Sequence, residues 1–344
     1  MKAIELTSLG QMRLGNIPQP KIEKDTDVLL KIETTGICGS DVHYHQTGRI
    51  GSQVVKYPFV VGHESAATVK AVGSAVSRVK VGQQVVVEPS VACHKCDQCR
   101  AGRENTCRNV LFLGAPGQLG GSLCEYIVMP QENCYPTGGD ITLEQAALCE
   151  PLSIGIYSVE RACMPAGASI AILGAGPIGL SVLLAAKVKN VGRMYVTDKI
   201  DARLNAARSQ DITWAGNPER IDVVGDILAA EPLGVDVVFE CCGKQDALNQ
   251  SLDILKPGGL LAIVGILQED NISFNPDKFR RKELTITYIR RQNHCVQAAI
   301  DLLKSGRIDA DFMITHRFNL EQTPSAFDLL ADYSDGIIKA MIHI

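Results

Sequence analysis

Two groups of metal-seeking side chains and one glycine-rich turn carry most of the chemistry this sequence offers. Cys93, Cys96, Cys99 and Cys107 follow the spacing C-x2-C-x2-C-x7-C. Three thiolates two residues apart wrap one side of a small ion, and a loop brings the fourth to complete a tetrahedron. Zn2+ tolerates four sulfurs, and four protein ligands close it to water, so a structural site is expected here. Iron–sulfur clusters use similar spacings and are the chemical rival. Four buried unligated thiols fit poorly with Lys95, Asp97, Gln98 and Arg100 in the same segment. His94 lies inside this lobe and is expected on its surface.

The second group is dispersed: Cys38 in Gly36-Ile37-Cys38-Gly39-Ser40-Asp41, His63 and Glu64 after Gly62, and Glu150 before Pro151. Mixed sulfur, nitrogen and oxygen donors are the set expected of a catalytic zinc with an exchangeable position. Spacing alone does not bring them together. Taken singly, each has a plain alternative: a buried thiol, a satisfied core histidine, a solvated or ion-paired acid.

Gly174-Ala175-Gly176-Pro177-Ile178-Gly179 matches G-x-G-x-x-G. The pattern alone is weak, but here it follows the apolar run Ala168–Leu173 and opens a helix, which is the context a dinucleotide site requires. Gly174 permits the tight turn, Gly176 lets backbone approach a pyrophosphate, and Gly179 lets helix pack on strand. Pro177 and Ile178 begin a helix whose unpaired N–H groups favour phosphate. Asp198 follows 19 positions after Gly179, at the end of the next strand. A carboxylate there accepts from ribose hydroxyls and repels a 2′-phosphate, which favours NAD over NADP. Arg203 complicates that preference, since arginine also holds such a phosphate or stacks on adenine.

These residues need two kinds of scaffold. The first 150 residues hold short β-type runs, such as 28–32, 67–72 and 84–87, separated by turn glycines, and read as a mainly β domain. After about Leu152, apolar strands at 168–173, 194–197, 235–239, 260–264 and 284–287 alternate with helical stretches, the first from Pro177 to about Val191. That alternation signals a doubly wound α/β domain. Helices at 294–304 and 324–331 and a strand at 337–342 end the chain. A length of 344 residues suits two domains, and a net charge of −4 without a basic block argues against nucleic-acid binding. The apolar stretch from Ala166 to Val188 is broken by five glycines or prolines and holds Lys187, so no membrane span is expected. Twelve cysteines, four of them clustered, fit metal ligation in a reducing cytoplasm better than a disulfide framework.

The chain resembles the zinc-containing medium-chain dehydrogenases, and among them the sorbitol (L-iditol) and xylitol dehydrogenases. The resemblance rests on residues 36–44, Gly62-His63-Glu64, the four-cysteine lobe, Glu150-Pro151-Leu152-Ser153, Gly174 to Gly179, and Thr315-His316-Arg317-Phe318. It implies a GroES-like catalytic domain (1–152 and 290–344), a Rossmann coenzyme domain (153–289) and an active site in the cleft between them. It implies that Cys38, His63 and Glu64 hold a catalytic zinc, with Glu150 bound directly or through water. Ser40 and His43 become proton-relay candidates, and Tyr44 a substrate-facing residue. Val264, Gly265 and Ile266 fall on the cofactor side, Arg290 lies near both cofactor and substrate, and Glu150 and Arg291 join Tyr44 as substrate contacts. The implied reaction oxidises a polyol secondary alcohol to a ketose, with hydride transfer to NAD, in a cytoplasmic homotetramer.

One departure bears on the substrate. Ile289-Arg290-Arg291-Gln292-Asn293 stands where sorbitol-type enzymes carry Phe-Arg-Tyr-x-Asn. Arg290 matches, whereas Arg291 replaces the tyrosine, and an added cation favours a sugar acid or sugar-alcohol phosphate unless a neighbouring acid neutralises it. A nucleotide-sensing or zinc-binding regulatory protein is the non-enzyme alternative.

Overall fold

The computed structural model describes residues 1–267 and 269–344. They form two compact units, Met1–Glu150 with Val296–Ile344 and Pro151–Cys295. The division expected from sequence, at 152 and 290, differs from this by a few residues.

In the first unit, β1 (Lys2–Ser8) and β2 (Gln11–Asn16) form a hairpin, followed by β3 (Asp27–Gly36), α1 (Gly39–Thr47), β4 (Glu64–Val72) and β5 (Gln84–Val87). Then come β6 (Tyr126–Pro130), β7 (Cys134–Pro136) and α2 (Leu143–Ala162), within which the chain passes to the second unit. β3 shows why such a sequence makes a half-covered strand. Val28, Leu30 and Ile32 are buried, while Leu29, Lys31 and Glu33 are only partly covered, the period of two that a pleated strand imposes. The alternation stops at Thr34, after which Thr34, Thr35 and Gly36 are all buried.

The second unit reads β8 (Ile170–Leu173), α3 (Pro177–Val188), β9 (Met194–Thr197), α4 (Asp201–Arg208), β10 (Trp214–Gly216), α5 (Val223–Ala230) and β11 (Val235–Glu240). It continues with α6 (Gln245–Ile254), β12 (Leu255–Ile263), α7 (Pro276–Arg281) and β13 (Thr285–Tyr288). The six strands are parallel in the order β10-β9-β8-β11-β12-β13. This is the doubly wound arrangement, with its strand order reversing beside β8. β8 and β9 are buried along their whole length, as strands covered on both faces must be. Its core includes Tyr195, Leu248 and Leu261, and each such side chain contributes about 1.5–3 kcal/mol by leaving water.

The last segment, α8 (Val296–Lys304), β14 (Ile314–Asn319), α9 (Thr323–Ala331) and β15 (Lys339–His343), belongs to the first unit. β14 and β15 complete the sheet β7-β5-β4-β3-β15-β14, with β6 also paired to β3. Around it lies a core that includes Leu30, Ile32, Val85, Met129, Phe327 and Ile342.

Among the element ends that differ from expectation, three have a local reason. α3 stops at Val188 rather than about Val191, because Asn190 takes a left-handed φ of 53°. The last domain-crossing stretch becomes helical at Val296 rather than His294, whose φ is 60°. β12 begins at Leu255, five residues early, and absorbs Pro257-Gly258-Gly259 through a register shift against β11 between Val235 and Val237. No helix among the described residues is long and apolar enough to cross a membrane.

Candidate active site

Cys38, His63 and Glu64 converge although 25 residues separate the first two, with their ligand atoms within 4.8 Å of one another. Sheet register explains how. Glu64 opens β4 opposite Gly36, the last residue of β3, and Cys38 follows at the N-cap of α1. A Cβ on Gly36 would stand 2.3 Å from Glu64 Oε2, so only glycine leaves room for this carboxylate. Ligands about 2.0–2.3 Å from a tetrahedral zinc lie roughly 3.3–3.8 Å apart, so small side-chain movements close the set.

The surrounding charges favour a cation. Asp41, fully buried on α1, accepts from Cys38 N at 3.2 Å and from Gly62 N at 3.1 Å, and its Oδ1 stands 3.4 Å from His63 Nδ1. Burial works against a charged imidazole at His63, yet the Asp41 carboxylate and Cys38 outweigh it and hold its pKa well above the usual value. A field that draws a proton to His63 draws a metal dication to the same place. A carboxylate behind the ring is also the usual way a histidine ligand is oriented.

Glu64 is held from the far end of the chain. Lys339, 1% exposed at the start of β15, donates to Glu64 Oε1 at 2.8 Å and Oε2 at 2.6 Å, and to Ile37 O at 3.0 Å. Glu150 is buried on α2, beyond the compact group formed by Cys38, His63 and Glu64. Burial pushes its carboxyl up to about 8; Glu64 and Glu88 add to the rise, and His63 and Lys339 oppose it.

The other expected residues sit on the same helix or in its neighbourhood. Ser40 and His43 are half-buried, three residues apart on α1 and hence on one face. Tyr44 is buried and donates its hydroxyl to Gln53 Oε1 at 3.0 Å.

Cys93, Cys96, Cys99 and Cys107 form a second compact group, with Cys96 and Cys99 sulfurs 3.5 Å apart and Cys96 and Cys107 sulfurs 3.9 Å apart. The one-turn helix Asp97–Arg100 folds Cys96 against Cys99. Main-chain N–H groups of Cys93 and Asn109 point at the Cys107 sulfur, at 3.3 and 3.4 Å. The N–H of Lys95 is the main cause that lowers the Cys93 thiol to about 6, the thiolate that metal ligation needs. His94 is exposed beside Glu104, at 3.0 Å, and takes no part.

In the second unit the glycine turn has the shape its motif requires. Gly174 has φ 104°, and a Cβ on Gly179 would stand 1.8 Å from Gly174 O. Gly176 caps α3, with Arg203 Nη1 3.5 Å from where its Cβ would lie, and Pro177 and Ile178 follow as its first turn. Asp198 braces the turn, accepting from Ala175 N at 2.7 Å and from Ile200 N at 2.8 Å, with Arg203 3.9 Å away. Its carboxylate oxygens retain lone pairs for further donors. Val264, Gly265 and Ile266 follow β12; Arg290 is exposed and Arg291 partly buried with a left-handed φ of 54°.

Residues 24–139 match the alcohol dehydrogenase GroES-like domain, and residues 177–305 the zinc-binding dehydrogenase domain. The chain is 37% identical over its whole length to the sorbitol dehydrogenase of Bacillus subtilis, spanning 97% of that protein. The chain belongs to the zinc-binding medium-chain dehydrogenases. The L-idonate 5-dehydrogenase of Vitis vinifera is 36% identical, over 92% of this chain and 88% of its own. Among solved structures, an Escherichia coli oxidoreductase of unknown specificity superposes with TM-score 0.92 and 31% identity, over 100% of this chain and 99% of its own.

This dehydrogenase is therefore a zinc-dependent, NAD-linked oxidoreductase acting on a CH–OH group, with a mixed-donor zinc site, a four-cysteine zinc site and a Rossmann domain for NAD. Sequence reasoning missed two of its charged residues. Asp41 lies inside a quoted motif, one helical turn from Cys38. Lys339 is a lone cation in the apolar run Ile337-Ile338-Lys339-Ala340-Met341-Ile342, and a lysine in a buried strand requires a paired acid.

Proposed function

We propose that this dehydrogenase oxidises a polyol secondary alcohol to a ketose, with NAD as the hydride acceptor. The observation that carries the reading is the compact Cys38–His63–Glu64 group, a three-ligand set of mixed donors that leaves one position for substrate. The likeness to a protein named sorbitol dehydrogenase supports the polyol class. A bound zinc supplies Lewis acidity that lowers the pKa of an alcohol, and NAD takes up the hydride. Lys339 and Asp41 hold Glu64 and His63 in place for that ion. Ser40 and His43, on one face of α1, pass the alcohol proton toward water, work that suits a hydroxyl and an imidazole, each able to take and give a proton. Glu150 accepts from a substrate hydroxyl or from water. Gly174 to Gly179 cradle the pyrophosphate, and Asp198 receives ribose hydroxyls and excludes NADP. Twelve thiols without a disulfide fit a reducing cytoplasm, and a homotetramer is the assembly the resemblance implies.

Arg291 favours a second reading, a sugar acid or phosphorylated polyol as substrate, and the relative named L-idonate 5-dehydrogenase supports it. NAD reduction across a panel of polyols, their acids and their phosphates, with zinc measured on the same preparation, separates the two. Turnover on neutral polyols that disappears with the catalytic zinc is expected. Undiminished turnover after complete zinc removal rejects the mechanism, and preference for anions that Arg291→Tyr abolishes selects the second reading.

A further inference from the structure

We propose that Glu240 is a positioning residue of the dinucleotide site, whose single carboxylate oxygen holds the loop beside the glycine-rich turn in register. Glu240 ends β11, facing Leu173 of β8 on one side and Ile263 of β12 on the other. Leu173 leads into Gly174, and Ile263 leads into Val264 and Gly265. The three strand ends thus share the carboxyl edge of the sheet, where open α/β sheets bind their ligands.

The side chain is fully buried, which glutamate rarely is without a paired cation. Its Oε1 accepts from three consecutive main-chain N–H groups, Cys242 at 2.9 Å, Gly243 at 2.6 Å and Lys244 at 3.4 Å, and from the Cys242 thiol at 3.0 Å. Convergent N–H groups of this kind form a nest for one anionic oxygen. The main-chain carbonyl of Glu240 meanwhile accepts from Val264 N at 2.8 Å and Gly265 N at 2.9 Å. One residue therefore ties together the loops that follow β11 and β12.

These loops have no slack against the turn. A Cβ on Gly174 would stand 2.9 Å from Cys242 Cβ, one on Gly265 would stand 2.5 Å from Gly243 N, and one on Gly243 would stand 2.2 Å from Ile266 O. A shift of residues 242–244 is thus felt directly at Gly174, Gly265 and Ile266. Glu240 Oε2 has no partner among the described residues. An unpartnered buried oxygen is costly. A role confined to stability is better met by an apolar side chain, whereas a role in placing three N–H groups requires the acceptor.

The test is NADH titration by fluorescence on the zinc-loaded enzyme, with binding stoichiometry, zinc content and thermal midpoint measured together. The wild-type titration checks the NAD linkage on its own. Glu240→Asp keeps the charge but withdraws the oxygen by one methylene, and is expected to weaken NADH binding about tenfold at unchanged stoichiometry and zinc content. Glu240→Leu is expected to weaken it more. Glu240→Gln retains a carbonyl acceptor and should bind within about threefold of the wild type. Native affinity in Glu240→Asp overturns the proposal, as does a Glu240→Gln variant as weak as Glu240→Asp. Loss confined to stoichiometry, with native affinity in the folded fraction, also overturns it.

Discussion

The two zinc sites solve one problem, collecting ligands, by opposite routes. The four-cysteine lobe draws everything from 15 consecutive residues, Cys93 to Cys107, and the N–H of Lys95 within it lowers the Cys93 thiol. The Cys38–His63–Glu64 site needs the ends of two strands, a helix N-cap and a lysine 275 residues from the glutamate it binds. The lobe is self-sufficient and closed. The mixed site is charge-balanced by residues that are not ligands. A metal that holds structure is served by local chain; one that works on substrate needs a tertiary frame that keeps its field constant.

The sharpest way to break that contrast is to remove one sulfur from each site. Cys38→Ser is expected to lower alcohol-dependent NADH formation by about a thousandfold or more while the chain keeps one zinc. Cys96→Ser should lose the other zinc and lower the thermal midpoint, with turnover per folded chain within about twofold of the wild type. Metal analysis, calorimetry and NADH absorbance on the same samples check both. Equal losses of activity in the two variants refute the division of labour.

Lys339→Met probes the frame itself. It leaves the Glu64 carboxylate buried without its cation, which should cost the metal-free protein about 3–5 kcal/mol, and zinc should restore part of that by replacing the lost charge. Denaturant unfolding with and without zinc reads the difference; an identical loss in both forms means that Glu64 does not face the metal. Asp41→Asn keeps the shape behind His63 but removes the charge, and zinc affinity should fall by about 10- to 100-fold, measured by competition with a chelating dye. An unchanged affinity shows that the buried carboxylate orients α1 rather than the ligand.

The smallest effect concerns pH. Burial raises the Glu150 carboxyl from its ordinary 4.5 to about 8, so the folded metal-free protein binds more protons than the unfolded chain between those values. Its stability should therefore decline as pH rises through that window. Glu150→Gln should flatten the decline, read as thermal midpoint against pH in the absence of zinc. A slope that survives the substitution assigns it to other groups.

Legibility followed the same division. The glycine turn and the cysteine lobe were readable because each depends on neighbours in sequence: a buried strand before Gly174, polar residues between thiols. The parallel sheet showed itself through apolar runs such as Ile170–Leu173. The motif around Glu150 fixes its neighbours along α2 and says nothing of the charged groups that the fold brings to it, His63, Glu64 and Lys339 among them. Asp41 and Lys339 escaped for a related reason, since nothing local to either residue names its partner.

What the sequence by itself determined is the set of local geometries: the turn at Gly174, the thiolate lobe, the strand periods and the donor types available to a metal. Only the tertiary structure decided which donors meet, that Lys339 and Asp41 set their charge balance, and that Glu240 braces the dinucleotide turn. The physical reason is range. Backbone sterics and turn chemistry act over a few residues, whereas a buried charge is governed by whatever the fold packs against it, and that partner lies anywhere along the chain.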